Sequence, residues 1–257
     1  MLIGTSLKMY FSHARTVAWT QEVAAQVAAH PAVAAGRVSA FVIPQYPSIP
    51  ACVEIGAPVG LSVGAQDIAA HDEGPYTGEV SGAVLAELGC RYVEVGHAER
   101  RRLFGDTDEV VAAKVAAAQR NALVPILCVG EAERGSAAAA ATEVARQIDS
   151  GLAAARAAGL HGEIVVAYEP IWAIGAAEPA RADHIRAVCA ALRTHLAAAP
   201  EQASVIYGGS AGPGLLSDIA DAVDGIFLGR FAHEPAAFGE ILDEASHLTP
   251  ASQEDTR

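Results

Sequence analysis

Basic residues are scarce in this chain of 257 residues: 17 lysines and arginines stand against 30 aspartates and glutamates, a formal net charge of -13. Nucleic acid calls for a basic face and an anionic membrane for a polybasic segment, so the acidity argues against both as partners. An anionic substrate would have to be held locally, by backbone amides and one or two cations. Long apolar runs are missing as well. Hydrophobic residues make up 52% of the chain, yet no stretch approaches the roughly 20 apolar residues of a membrane span. The N-terminus lacks a basic n-region and enters an apolar run at once, which predicts no signal peptide and a cytoplasmic location. Cys52, Cys90, Cys128 and Cys189 are scattered without metal or redox spacing, and read as reduced core or near-core thiols.

What the chain does have is alternation. Short β-rich runs are predicted at Leu2–Ser6, Val38–Ile43, Leu61–Ala65, Tyr92–Val95, Val124–Cys128, Ile164–Ala167, Val205–Tyr207 and Gly225–Leu228. Between and after them lie alanine-rich helical stretches at Thr16–Ala29, Ile49–Ile55, Val80–Leu88, Asp108–Asn121, Ala137–Ala157, Arg181–Ala199, Leu215–Ala222 and Pro235–Ser246. Alternating βα units imply a parallel sheet, and about eight of them in about 250 residues is the size of a single-domain (β/α)8 barrel. A doubly wound open sheet is the rival, but no Gly-rich dinucleotide fingerprint follows the first strand. The barrel is expected over residues 1–248, with a loose polar tail over 249–257. One connection is longer than a simple turn. Residues 66–79 include Gly74, Pro75, Tyr76, Thr77 and Gly78, and a loop of that length in a compact barrel suggests docking on a partner.

The strand ends carry the chemistry. The run Ile164-Val165-Val166-Ala167 reads as a buried strand, and Glu169-Pro170 follows it. A carboxylate therefore stands on the rim where barrels build their sites. The apolar segment after it, Ile171-Trp172-Ala173-Ile174-Gly175, looks like a lid that can exclude water from the acid. Lys8 follows strand one, and Gly96-His97-Ala98-Glu99-Arg100 follows strand four. His97, at the start of helical sequence, is expected to stay neutral and to donate a hydrogen bond to a carbonyl. Glu99 is expected to hold Lys8, and Arg100 to form a buried ion pair. Gly208-Gly209-Ser210 after strand seven and Gly229 after strand eight present unobstructed backbone N–H groups near helix N-termini, a phosphate cradle. No cysteine, carboxylate or second histidine has ligand spacing with His97, so no metal is predicted. A carboxylate base, a neutral electrophile, an ammonium and a phosphate grip suit enolisation beside a carbonyl, with no cofactor.

Together these segments resemble triosephosphate isomerase: Lys8-Met9, Gly96 to Arg101, Ala167 to Gly175 and Tyr207-Gly208-Gly209-Ser210 occur in the family's order over nearly the whole chain. The pairing of a glutamate base with a neutral histidine is an established pattern of that enzyme. The resemblance implies a (β/α)8 homodimer that interconverts dihydroxyacetone phosphate and glyceraldehyde 3-phosphate. In it Glu169 would be the base, His97 the electrophile and Lys8 the electrostatic contact. Gly175, Ser210 and Gly229 would hold phosphate as the lid closes, with Tyr207 in support. The loop around Tyr76 and Thr77 would insert beside Lys8 of a second subunit. Several positions depart from the family. Ser6 stands where asparagine is usual, Leu7 for tryptophan, Tyr10 for asparagine and Ala98 for serine. Arg230 replaces a glycine, and the far hinge of the lid is Glu178-Pro179-Ala180 in place of lysine-threonine-alanine. Ser6 changes bulk and hydrogen bonding at the carbonyl end, and Arg230 adds charge at the phosphate end. Both features resemble the paralogues that isomerise four-carbon erythrulose phosphates, so triose and tetrulose phosphate both stay open. The altered hinge and Tyr10 also leave a non-catalytic phosphometabolite-binding barrel as a reading.

Overall fold

Short, mostly apolar and mostly buried runs of four to six residues form eight strands in the computed structural model, which describes residues 1–176 and 179–249. They are β1 (Leu2–Ser6), β2 (Ser39–Ile43), β3 (Leu61–Ala65), β4 (Tyr92–Val95), β5 (Val124–Val129), β6 (Ile164–Tyr168), β7 (Ala203–Tyr207) and β8 (Gly225–Leu228). Each pairs in parallel with the next, and β8 returns to β1, so the sheet closes into the expected (β/α)8 barrel. Side chains alternate across every strand. One set, including Phe41, Tyr92, Ile126, Val165, Ile206 and Phe227, fills the barrel interior. The other set, including Ile3, Val63, Val93, Leu127, Val166 and Val205, packs outward against the helices. Two apolar layers thus hold the strands in place, and the rim at their carboxyl ends stays free for polar groups.

The helices follow prediction with changes at their ends. The first, His13–Ala29, starts three residues early because the Ser12 hydroxyl accepts the Arg15 N–H at 3.2 Å. The alanine tract is the start of the helix Ala137–Ala157, capped by Ser136, as expected. A short helix at Pro31–Ala34 and a seven-residue helix at Ala98–Phe104 are additions. The last helix runs Pro235–Leu248, and Thr249 still bonds back to Ala245. The rest of the predicted tail, 250–257, lies outside the described residues. All four cysteines are buried and unpaired. No helix among the described residues is long and apolar enough to cross a membrane.

Candidate active site

The strand ends bring Lys8, His97 and Glu169 onto one cavity of about 1210 Å³. Ser6, Glu99, Gly175, Gly208, Ser210, Gly229 and Arg230 line the same cavity. Of the other predicted residues, Gly209, Tyr207 and Arg100 are not on its wall, and Tyr76 and Thr77 belong to the exposed part of the loop 66–79.

Glu169 leaves β6 with its N–H bonded to the Val129 carbonyl at 2.8 Å, and Pro170 ends the ladder there. Its side chain is buried, with Oε2 3.5 Å from His97 Nε2. Burial, foremost, pushes its pKa up from 4.5 to about 7; Glu94 and Glu99 push the same way, while His97 and Lys8 pull back. A carboxylate so placed is a base matched to neutral pH. Gly208 makes the room: a Cβ there would lie 2.6 Å from Glu169 Oε1.

His97 caps the helix Ala98–Phe104, its Nδ1 accepting the Glu99 N–H at 3.2 Å. An accepting Nδ1 carries no proton, which assigns the ring hydrogen of the neutral imidazole to Nε2, the nitrogen that faces Glu169. The histidine can therefore donate to a developing oxyanion. Lys8 holds a left-handed backbone with φ of 45°, and its carbonyl is pinned by Gln66 Nε2 at 2.8 Å. Such a conformation is costly for a non-glycine residue. Lys8 Nζ donates to Glu99 Oε1 at 3.0 Å, as the sequence predicted. Burial works against its charge, but the Glu99 hydrogen bond and charge, with Glu169 and Glu94 behind them, offset it and raise the ammonium pKa.

The lid begins with a 3-10 turn, Ile171–Ala173, and is tied at several points. Trp172 Nε1 donates to Glu131 Oε1 at 2.7 Å, where Tyr168 OH donates at 3.3 Å. Ser210, a second left-handed non-glycine residue with φ of 47°, donates from Oγ to the Ala173 carbonyl at 2.7 Å. Arg230 Nη2 reaches the Gly175 carbonyl at 3.4 Å, so the added cation lies against the lid. At the far hinge the Ala180 N–H donates to Tyr207 OH at 3.2 Å; Glu178 lies outside the described residues.

Four expectations need adjustment. The Gly208-Gly209-Ser210 turn does not run straight into a helix: the next helix starts at Leu215, after Gly214 in the left-handed region. Gly229 precedes a 3-10 turn, Arg230–His233, in place of an α-helix. Gly209 serves packing, because a Cβ on it would meet Tyr207 OH at 2.6 Å. Arg100 does form ion pairs, with Asp67 at 2.9 Å and Asp106 at 3.1 Å, but its side chain is 28% exposed. The fully buried cation of that network is Lys114, which binds both aspartates.

Sequence reasoning passed over four features. Glu94 lies inside the barrel, 3% exposed, and accepts the Ser6 hydroxyl on Oε2 at 2.9 Å. Its signal was an acid at an inward position of an apolar strand, beside Tyr92. Glu131 anchors Trp172, and Lys114 closes the Asp67–Asp106 network. At the cavity rim Tyr10 and Phe11 pack on His233, with ring centroids 5.1 and 4.8 Å away. Among the described residues no three His, Cys, Asp or Glu side chains are grouped as metal ligands would be.

Comparison with known proteins fits this geometry. The sequence model of the family described as triosephosphate isomerase matches residues 1–245. The L-erythrulose-1-phosphate isomerase of Pectobacterium atrosepticum is 51% identical over 254 residues, covering 97% of each chain. The triosephosphate isomerase of Mycobacterium tuberculosis is 41% identical over 241 residues, 89% of this chain and 90% of its own. That of Synechococcus sp. is 35% identical over 255 residues, 98% of this chain and 99% of its own. With its barrel closed, Glu169 and His97 3.5 Å apart, and matches from end to end, the chain belongs to the triosephosphate isomerase family and is a sugar-phosphate isomerase of that type.

Proposed function

We propose that the substrate is a four-carbon ketose phosphate, erythrulose 1-phosphate, and that Glu169 moves the proton. In that molecule the C2 carbonyl stands between the phosphorylated C1 and the hydroxylated C3. Glu169 takes the proton from C3. His97 Nε2–H and the Lys8 ammonium stabilise the negative charge that develops on the C2 oxygen. Glu169 then returns a proton to C2 while the proton on the C3 oxygen passes to the C2 oxygen. The carbonyl has moved to C3, and the product is erythrulose 4-phosphate. Ser210, Gly229, Gly175 and Arg230 hold the phosphate, and the lid over Ile171 and Ile174 keeps water from the enediolate.

The observation that carries the four-carbon reading is at position 6. A serine stands where the family has asparagine, and its hydroxyl is drawn onto Glu94, which leaves space at the carbonyl end. The similarity to an L-erythrulose-1-phosphate isomerase supports the same choice. Triose phosphate is the second reading, supported by the similarity to triosephosphate isomerases. Assaying purified protein on both substrates side by side tests the proposal. We expect kcat/KM at least tenfold higher for erythrulose 1-phosphate, and a higher value for dihydroxyacetone phosphate overturns it.

A homodimer is part of the proposal. Tyr76, stacked on His71 at 4.3 Å and 42% exposed, with exposed Met9, Leu103 and Phe104, supports docking of loop 66–79, including Thr77, on a second copy. Sedimentation of Thr77→Arg should show dissociation; an unshifted dimer would remove the loop from the interface.

A further inference from the structure

We propose that Glu94 and Ser6 form a subsite for the terminal hydroxymethyl group of the four-carbon substrate, the Glu94 carboxyl accepting the hydrogen bond of its hydroxyl. This rests on the four-carbon reading and deepens it. Glu94 is the third residue of β4, and the two-residue period turns it inward with Tyr92. Tyr92 enters the apolar barrel interior, whereas Glu94 lines the cavity above. Burying a carboxyl group is costly unless both oxygens find donors. Oε2 has the Ser6 hydroxyl at 2.9 Å. Among the described residues Oε1 has only the Cys128 thiol at 4.0 Å and His97 Nε2 at 3.9 Å, the first a weak donor and the second beyond hydrogen-bond range. A buried acceptor thus faces the cavity beside His97 without a proper donor.

The substrate's own geometry supplies one. The enediolate oxygens go to His97 and Lys8, and the phosphate to the side of Ser210, Gly229 and Arg230. What remains is whatever C3 carries beyond the reacting carbons. In a triose phosphate that is a hydrogen atom, which offers Glu94 nothing. In a tetrulose phosphate it is CH2OH, whose hydroxyl can donate to Oε1. Ser6 completes the fit: its short side chain yields volume that asparagine would fill, and its donated bond holds the Glu94 carboxyl in one orientation. The pair both welcomes the longer substrate and leaves an acceptor unmet with the shorter one, the kind of arrangement that discriminates strongly.

The test is a cycle between side chain and substrate. Turnover of erythrulose 1-phosphate and of its 4-deoxy analogue, 3-hydroxy-2-oxobutyl phosphate, is measured for wild type, Glu94→Val and Glu94→Gln. A hydrogen bond to a charged group predicts that wild type prefers the hydroxylated compound by about 10- to 150-fold in kcat/KM. In Glu94→Val that preference should collapse to within about threefold, mainly through a higher KM for the hydroxylated compound. Glu94→Gln keeps an acceptor of the same shape and should retain part of it, and it serves if the valine variant fails to fold. Both compounds undergo the same proton transfer, so general damage to base or fold lowers both and leaves the ratio alone. A full preference surviving in both variants overturns the subsite, as does wild type turning over both four-carbon compounds without preference. Wild type that converts dihydroxyacetone phosphate and neither four-carbon compound overturns the four-carbon reading itself.

Discussion

Replacing Glu169 with glutamine should stabilise the fold at pH 8 while abolishing turnover. The carboxyl is 6% exposed, and burial above all raises its pKa from 4.5 to about 7. Between those values the native chain holds a proton that the unfolded chain has lost. The native state then binds more protons, so stability falls as pH rises through the window and the full loss is present above pH 7. A shift of this size corresponds to roughly 3 kcal/mol, the cost of keeping an ionised carboxylate in a dry site. Glutamine carries no charge and escapes it. The gain should be roughly 3 kcal/mol at pH 8, or about 6–12 °C in Tm for a chain of this length, and less than about 1 kcal/mol at pH 5. Urea denaturation of both proteins at one protein concentration reads the difference directly. A glutamine variant no more stable than wild type at pH 8, or one with the same gain at both pH values, refutes the reasoning.

Two other outcomes follow from the site. Gly208→Ala places a Cβ 2.6 Å from Glu169 Oε1, and a displacement of the base by about 1 Å should lower kcat by about 100-fold; near-normal kcat would mean the contact is not tight. The kcat/KM profile should rise with pH to a limb near 7 as Glu169 ionises, and Glu94→Gln should move that limb to lower pH because Glu94 is one of the charges pushing it up; an unmoved limb in that variant contradicts the coupling.

Much of this could be read from the chain because buried parallel strands are near-continuous apolar runs. All eight strands sit within two residues of where Ile164-Val165-Val166 and its counterparts place them. The charged groups at their ends were legible for the same reason, since Lys8, His97 and Glu169 each break an apolar pattern at its last residues. What failed was local. For the helix Ala98–Phe104 the sequence showed a start at His97 but no bounds, and its cap is a histidine ring nitrogen, not the Ser, Thr, Asp or Asn that usually marks one. Glu94 was hidden inside a strand, where an acid reads as a flaw until Ser6, 88 positions away, is found bonded to it. The Lys114 network likewise joins residues 8 and 47 positions apart, a pairing that no local pattern encodes.

The central claim is that one carboxylate carries hydrogen between neighbouring carbons of a phosphorylated ketose. Exchange of the C3 proton of erythrulose 1-phosphate for solvent deuterium, followed by proton NMR in D2O with wild type and with Glu169→Gln, tests it most directly. The account predicts rapid exchange with wild type and a loss of about 100- to 10,000-fold in the variant. Exchange that proceeds undiminished without the Glu169 carboxyl would contradict it.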